Sequence, residues 1–347
     1  MTLSAEPRVA LRAQLERLLD GRNLDAFEAQ EALAELMAES TPRSLQAAFL
    51  AALRSKGETP EELAGFARGM LARARAVPRS FTLPCVDTAG TGGDGMHSFN
   101  LSTAAALLVA SLGIPVAKHG NRSVSSRCGS ADLIEALGLP ATADPGEAGA
   151  RLARDGFVFL FAPHFHPALR ALADLRRELG VRTVFNLLGP LVNPARPSHQ
   201  LIGAASPELA RRLARAASQL GLARAFVVHG GGFDEATPCG PFQVHVVAGT
   251  TCAEHELAPE DFGLARCAPA DLAGGDAREN AARLVALFEH RERGPLRDAL
   301  CLNAALVLLL LERETAPRPA LRSVAAALDD GRAARFLARL AASGGLP

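Results

Sequence analysis

What most restricts the fold of this chain is a change of pattern near residue 80. Up to about residue 76 the signals are helical only. Leu11, Leu15, Leu18 and Leu19 fall at i, i+4, i+7 and i+8, one apolar stripe of a 3.6-residue period. Asp25 with Glu28 reads as the start of a second helix, Thr59-Pro60-Glu61-Glu62 as a capping box, Thr41 as a cap ahead of Pro42 at the first helical position, and Gly57 as a stop. Beyond the stretch ARARAVPRS, a boundary around Val77 to Ser80, short β-prone runs at Val86, 114–117, 157–161, 201–205, 225–229 and 242–247 alternate with helical stretches. That alternation predicts an α/β fold: a small helical N-terminal domain and a larger α/β domain with a mostly parallel sheet. The segment 167–190, which opens on PALRALADLRRELG, reads as helical and is expected to return to the first domain. The division expected is therefore 1–76, joined by 167–190, and 77–347.

Lys plus Arg and Asp plus Glu both number 37. Zero net charge removes the bulk attraction that a nucleic-acid or acidic-membrane binder carries, so any anion site is local. The longest apolar run, Ala304 to Leu311, is far short of the roughly 20 residues that span a bilayer, and the first residues lack an apolar signal core. A cytoplasmic protein with no membrane and no nucleic-acid partner is expected. Six cysteines with no CxxC pair argue against structural zinc and a disulfide framework. All but two of the basic residues are arginines; the exceptions are Lys56 and Lys118.

GTGGDG, Gly90 to Gly95, follows the run at Val86 and formally fits GxGxxG. A dinucleotide fingerprint enters a helix at once and meets an acidic residue about 20 positions later. Here MHSFN intervenes, and no Asp or Glu occurs from Gly95 to Ala131. The same stretch holds Lys118, Arg122, Arg127, His97 and His119, which points to a polyanion instead. Glycines let backbone N–H groups approach phosphate oxygens, and Asn100-Leu101-Ser102-Thr103 is expected to cap the helix AAALLVASLG, whose free N–H groups favour phosphate. The loop KHGNRSVSSRCGSAD, Lys118 to Asp132, is dense in donors. Its lysine, in an arginine-rich chain, suggests a place for a compact ammonium. Asp234 and Glu235 follow a strand and a glycine turn, and adjacent carboxylates of this kind are oxygen ligands that Mg²⁺ prefers. HGGG at 229–232 has no GxSxG elbow to serve, which disfavours a serine hydrolase.

Taken together, DTAGTGGDG at 87–95, FNLSTAAA at 99–106, AKHGNRSVSSRCGSADLIEALG at 117–138, RRELGVRTVFNLLGPLVNP at 176–194, VVHGGGFDE at 227–235 and PEDFGL at 259–264 closely resemble the anthranilate phosphoribosyltransferases. The resemblance implies the nucleoside phosphorylase/phosphoribosyltransferase type of fold and a homodimer formed through the helical part. It implies transfer of the phosphoribosyl group of phosphoribosyl pyrophosphate to the amine of anthranilate, in tryptophan biosynthesis. It further implies that Gly90, Gly93, Asp94, Ser98, Asn100, Leu101, Ser102, Thr103, the loop Lys118-His119-Gly120-Asn121-Arg122-Ser123-Val124-Ser125-Ser126 and Ser130 hold phosphoribosyl pyrophosphate. Asp234, Glu235 and the Ser102 hydroxyl would bind two Mg²⁺ ions, while Gly90, Asn121 and Arg176 would meet anthranilate, with Arg176 facing its carboxylate. No general base is assigned.

Before Arg176 the family usually reads Val-Ala-Pro-Val, where this chain has Leu172-Ala173-Asp174-Leu175, and an aliphatic residue usually follows the acidic pair where Ala236 stands. The first of these is expected to put a carboxylate near the acceptor channel. A pyrimidine nucleoside phosphorylase-like enzyme and a non-catalytic nucleic-acid-binding relative are the alternatives. The first lacks its lysine-rich motif here, and the second is disfavoured by zero net charge and by intact Ser102, Asp234 and Glu235.

Overall fold

The computed structural model of the chain describes residues 7–78, 84–123 and 127–344. Four helices come first: α1 (Pro7–Leu19), α2 (Ala26–Leu36), α3 (Arg43–Lys56) and α4 (Pro60–Arg73). The capping box expected at Thr59 and Glu62 forms at α4, and Asp25 with Glu28 forms another at the start of α2. Two local expectations change. Pro42 itself flanks α3, while the Thr41 hydroxyl donates to the Glu35 carbonyl at 2.7 Å and so closes the end of α2. Leu11 and Leu18 are buried, but Leu19 is 64% exposed, because α1 stops there and the chain turns away at Gly21.

The α/β part then runs β1 (Val86–Gly90), α5 (Leu101–Ser111), β2 (Val116–Gly120), α6 (Ser130–Ala136), β3 (Ala141–Thr142), α7 (Pro145–Asp155) and β4 (Phe157–Phe161). A single turn α8 (Ala162–Phe165), a 3-10 turn (Pro167–Leu172) and α9 (Ala173–Leu179) follow, with further 3-10 turns at Val184–Asn186 and Gly189–Leu191. The chain continues through β5 (His199–Gly203), α10 (Pro207–Ser218), β6 (Arg224–His229), β7 (Phe242–Ala248), β8 (Thr251–Leu257) and α11 (Pro259–Phe262). It closes with α12 (Ala277–Phe288), α13 (Pro295–Leu310), α14 (Pro317–Asp329) and α15 (Arg332–Gly344).

The strands form one sheet in the order β3-β4-β2-β1-β5-β6-β7-β8. Neighbours from β3 to β6 are parallel, and β7 and β8 are antiparallel. The sequence signals locate the strands around β1, β2 and β4 to β7 but not β8. Its residues TCAEHEL are exposed almost throughout and carry no apolar alternation, so pairing with β7 is what makes them a strand.

Each face of the sheet has its own core. On one, α5 is buried nearly all round between the sheet and α13, as expected of a helix without a polar face. On the other, Ile202 of β5 and Val227 of β6 share a core with Leu209 and Leu213 of α10 and with Leu33, Phe49 and Phe66 of the N-terminal helices. Leu172, Leu175, Val184 and Phe185 belong to this second core, and the Phe66 and Phe185 rings meet edge to face at 6.4 Å. Full burial of side chains of this size contributes roughly 1.5–3 kcal/mol each, so this segment is firmly seated against the helical bundle.

From β1 the chain moves to β2 on one side, whereas β5 joins β1 on the other. Loops therefore leave the carboxyl ends of β1 and β5 in opposite directions and open a crevice, the place where parallel sheets receive ligands. Among the described residues no helix is long and apolar enough to cross a membrane.

Candidate active site

Gly90 and Gly203 face each other at the carboxyl ends of β1 and β5. Asp234 passes across them: a Cβ at Gly203 would fall 1.6 Å from the Asp234 carbonyl oxygen, and one at Gly90 would fall 2.3 Å from Oδ2. Glycine here is a steric requirement. The turn after β6 delivers the acidic pair, because Gly231 and Gly232 take φ of 61° and 96° while Gly230 and Phe233 bond each other through both backbone groups. Asn303, a buried polar residue in apolar α13, holds the far side of the loop; it donates to the Ala236 carbonyl at 2.8 Å and accepts from the Ala236 N–H at 3.3 Å.

Asp234 Oδ2 accepts from the Gly92 N–H at 2.6 Å, and the Asp234 N–H donates to Asp94 Oδ2 at 3.2 Å. Glu235 accepts from the Ser98 hydroxyl at 3.3 Å and from the Ser102 N–H at 3.2 Å. Three carboxylates thus gather beside the glycine loop. Removal of water is the main cause that pushes Asp234 up to about 7, with the Asp94 charge adding to it, and that lifts Glu235 well above the usual carboxylate range, with Asp234 adding to it. A cavity of about 10 Å³, lined by Thr88, Gly90, Ser102, Gly203, Asp234 and Glu235 among others, leaves space for one water-sized species beside them.

Lys118 lies within β2 and is buried, not on the loop that follows. Its ammonium donates to the Thr88 carbonyl at 2.5 Å and approaches the Ser102 hydroxyl at 3.5 Å. Burial lowers its pKa, opposed by the charges of Asp87, Glu235 and Asp234. Asp87, pushed up to about 6 mainly by burial, is held by Asn193 Nδ2 at 2.8 Å and by the His119 N–H at 3.3 Å. In this closed setting the sequence-based view of a loop cation changes. We expect Lys118→Arg to lower stability by about 1–3 kcal/mol, since the larger fork overpacks a filled strand. Urea unfolding of the variant checks this, and an unchanged midpoint would show that the pocket has room.

Other expected residues also stand differently. The helix α5 begins at Leu101, and its first N–H groups are engaged: Ser102 by Glu235, and Thr103 and Ala104 by the Asn100 carbonyl. The positive end of this helix therefore faces the protein's own carboxylate. Asn100 occupies the N-cap position without a side-chain cap, because its amide bridges the Cys128 carbonyl at 3.1 Å and Asn280 at 2.9 Å. Leu101 and Thr103 are buried. Gly120 backs onto Ser130, whose hydroxyl interacts with the Asn121 backbone at 3.1 Å. Arg122 is half-exposed and paired with Asp132 and Glu135, both at 2.7 Å, while the Ser123 N–H donates to Asp132. Val124, Ser125 and Ser126 lie outside the described residues. Gly93 has φ of 76°, and Arg182 fills the position its side chain would take.

His119 points away from the carboxylates. Its Nδ1 lies 3.2 Å from the Gly189 carbonyl, and its ring meets that of His166 at 5.2 Å. His166 Nε2 lies 2.9 Å from the Val192 carbonyl. Burial drives His119 down to about 3 and His166 down to about 4. Both are neutral when folded but protonate near 6.5 when unfolded, so at these two sites the unfolded state binds more protons, and their contribution to stability is lost as pH drops from about 6.5 toward those values. For His166 the full window is worth roughly 3 kcal/mol. We expect His166→Gln to remove about half of the pair's contribution to the pH dependence of urea unfolding between pH 7 and pH 4.5, His119 keeping the other half, and a pH dependence equal to the wild type's would refute the assignment.

Arg176 on α9 is partly buried, with its guanidinium 5.4 Å over the Phe185 ring and its pKa lowered by loss of water. Among the described residues no hydrogen bond or ion pair ties the side chain of Arg176 or Asn121 to the carboxylate cluster. Asp174 does not enter a channel: it is exposed and paired with Arg177 at 2.6 Å.

The sheet, the crevice and the helical bundle define a class. Residues 82–334 match the glycosyl transferase family, a/b domain, and residues 12–74 match the helical bundle domain of the glycosyl transferase family. An anthranilate phosphoribosyltransferase of Moorella thermoacetica is 47% identical over 96% of this chain and 98% of its own. The crystal structure of the Thermus thermophilus anthranilate phosphoribosyltransferase superposes with a TM-score of 0.88 at 42% identity, over 94% of this chain and 98% of that one. The Saccharomyces cerevisiae enzyme in complex with PRPP and Mg also gives 0.88, at 26% identity over 97% and 98%.

The chain belongs to the anthranilate phosphoribosyltransferase family. It is a phosphoribosyltransferase of tryptophan biosynthesis, joining anthranilate to the phosphoribosyl group of phosphoribosyl pyrophosphate with release of pyrophosphate.

Proposed function

We propose that the crevice between β1 and β5 is where this reaction takes place, with the donor's pyrophosphate lying between the glycine loop and the acidic pair. The observation that carries the reading is the gathering of Asp234, Glu235 and Asp94 beside the glycine loop, where burial holds the charge of Asp234 and Glu235 at a disadvantage, with Asp94 adding to it at Asp234 and Asp234 adding to it at Glu235. Hard oxygen donors in that condition fit Mg²⁺. Such a cation would complete its shell from water and substrate phosphate. Asp234, Glu235 and the Ser102 hydroxyl would hold two ions. When bound, Mg²⁺ supplies charge neutralisation of the departing pyrophosphate.

The remaining work belongs to the protein's side chains. Lys118 offsets part of the carboxylate charge and keeps Ser102 and Thr88 in place. Gly90, Gly93, Asp94 and Ser98 shape the floor of the donor site, and Asn121, Arg122, Ser123 and Ser130 line its rim. Gly90, Asn121 and Arg176 receive anthranilate, with Arg176 gripping its carboxylate. The arylamine is already neutral at pH 7, so positioning suffices and no general base is needed.

The helical part, 1–76 with 167–190, is assigned as the homodimer-forming domain and 77–347 as the donor-binding domain. Phe27 on α2, 70% exposed, and Leu19 support that assignment. The sparse cysteines support a cytoplasmic location. Calorimetric titration of Mg²⁺ into protein with phosphoribosyl pyrophosphate, beside loss of anthranilate fluorescence, tests the metal reading. Two ions per chain and Mg²⁺-dependent turnover are expected; full turnover in excess chelator would overturn it.

A further inference from the structure

Arg182 comes from the segment between α9 and the 3-10 turn at Val184–Asn186, on the helical side of the molecule. Its guanidinium nevertheless reaches the glycine loop after β1. Nη1 donates to the Gly93 carbonyl at 2.9 Å, and Nη2 donates to the Gly92 carbonyl at 3.0 Å and approaches that of Thr91 at 3.5 Å. Three successive carbonyls converge on one cation. Such convergence is open to this backbone because Gly92 and Gly93 take φ of 62° and 76°.

The other side of the loop is held by charge of the opposite sign, since the Gly92 N–H donates to Asp234 Oδ2 at 2.6 Å. The loop therefore sits between a guanidinium on its carbonyl side and a carboxylate on its amide side. A Cβ at Gly93 would fall 1.6 Å from Arg182 Nη1, so the space that this glycine leaves is occupied by the arginine. Behind Arg182, the Arg54 side chain of α3 donates to the Arg182 carbonyl at 2.5 Å. The helical bundle thus holds the segment that holds the loop.

We propose that Arg182 is a positioning residue for the reaction: its planar fork fixes the glycine loop in the shape that receives the donor's pyrophosphate and, through Arg54, ties that shape to α3. This rests on the assignment of the loop to pyrophosphate made above. A fork with several fixed donors can hold neighbouring carbonyls together, whereas an ammonium on a flexible stem is a single point. Arg182 acts through the loop and makes no claim on the reacting atoms.

Steady-state kinetics of the full chain test the proposal with Arg182→Ala, Arg182→Lys, Arg54→Ala and Gly93→Ala, and with Arg177→Ala as the control that leaves activity unchanged. We expect Arg182→Ala to raise KM for phosphoribosyl pyrophosphate about tenfold or more, with little change in KM for anthranilate or in the unfolding temperature. Free guanidinium at a sub-denaturing concentration restores part of that loss in Arg182→Ala, and sodium chloride at equal ionic strength does not. Arg182→Lys shows the same defect without rescue, and Arg54→Ala a smaller defect of the same kind. If Gly93→Ala impairs donor binding while Arg182→Ala does not, the positioning role is wrong and the loop assignment stands. Unchanged donor KM in both variants would overturn the loop assignment as well. A loss confined to kcat that follows a lowered unfolding temperature, without guanidinium rescue, would also overturn the role. Should Arg182→Ala fail to fold, an unchanged donor KM in Arg182→Lys and Arg54→Ala overturns it.

Discussion

With Asp234→Asn and Glu235→Gln combined, turnover falls by about a thousandfold or more, while the metal-free variant unfolds at the wild-type temperature or above it. The two halves of this expectation have one cause. In the metal-free protein both carboxyls sit above their ordinary pKa, Asp234 at about 7, because burial and neighbouring charge penalise ionisation. At these two sites the unfolded chain then binds fewer protons than the folded one between the ordinary carboxylate range and about pH 7, so their contribution to wild-type stability falls as pH rises through that window, opposite in sign to that of His119 and His166. An Asn at 234 keeps an oxygen for the Gly92 N–H, and a Gln at 235 keeps its oxygen for the Ser102 N–H and turns its NH2 toward the Ser98 hydroxyl, which then accepts instead of donating. What they remove is charge. Thermal unfolding at pH 5 and pH 8, with chelator and with Mg²⁺, separates the effects: the wild type gains more from Mg²⁺ at the higher pH, and the variant gains little at either. Near-normal Mg²⁺-dependent turnover in the double variant would remove Asp234 and Glu235 from the metal site.

This balance of charge also explains which parts of the site the sequence reveals. Gly90 to Gly95 and the pair Asp234-Glu235 are legible because their chemistry is local: a run of glycines, or two adjacent carboxylates after a turn. That they meet across β1 and β5 follows once the sheet is taken as parallel, since loops at the carboxyl ends of neighbouring strands share one edge. The residues that hold them are not legible in this way. Asn303 reaches Ala236 across 67 positions, Arg182 reaches Gly93 across 89, and Asn193 reaches Asp87 across 106. Only Asn303 leaves a trace, a single amide within the apolar run of α13. Arg182 leaves none, because arginine is the common cation of this chain.

Errors of placement have a similar origin. Lys118 stands out by rarity, and a donor-rich sequence just after it suggests one continuous loop; yet β2 extends to Gly120 and buries the ammonium. Strand pairing with β4, where Lys118 stands opposite Phe159, decides that boundary. The start of α5 looks like a free anion site until Glu235, remote in sequence, is seen to accept from the Ser102 N–H. In each case a long-range partner overrides a correct local signal.

Arg176→Ala should raise KM for anthranilate by about tenfold to a hundredfold, the equivalent of about 1.5–3 kcal/mol for a charge-assisted hydrogen bond, and leave KM for phosphoribosyl pyrophosphate nearly unchanged. Burial as well as sequence position places Arg176 in this role. Arg176 has lost enough water for its pKa to be lowered, it stacks 5.4 Å over Phe185, and no acidic side chain among the described residues pairs with it. A guanidinium kept partly desolvated without a counter-charge gains more from an incoming carboxylate than one already satisfied. Arg177 is the contrast: exposed, and paired with Asp174 at 2.6 Å, it should tolerate alanine with less than about a twofold change, as surface pairs contribute little. Lysine at 176 keeps the charge but gives up the planar stack on Phe185 and the two-pronged grip, so Arg176→Lys should fall between wild type and Arg176→Ala. Steady-state kinetics of the three variants decide the matter. Equal effects at 176 and 177, or a loss in donor binding alone, would take Arg176 out of the acceptor site and return its stacking on Phe185 to a packing contact between α9 and the bundle core.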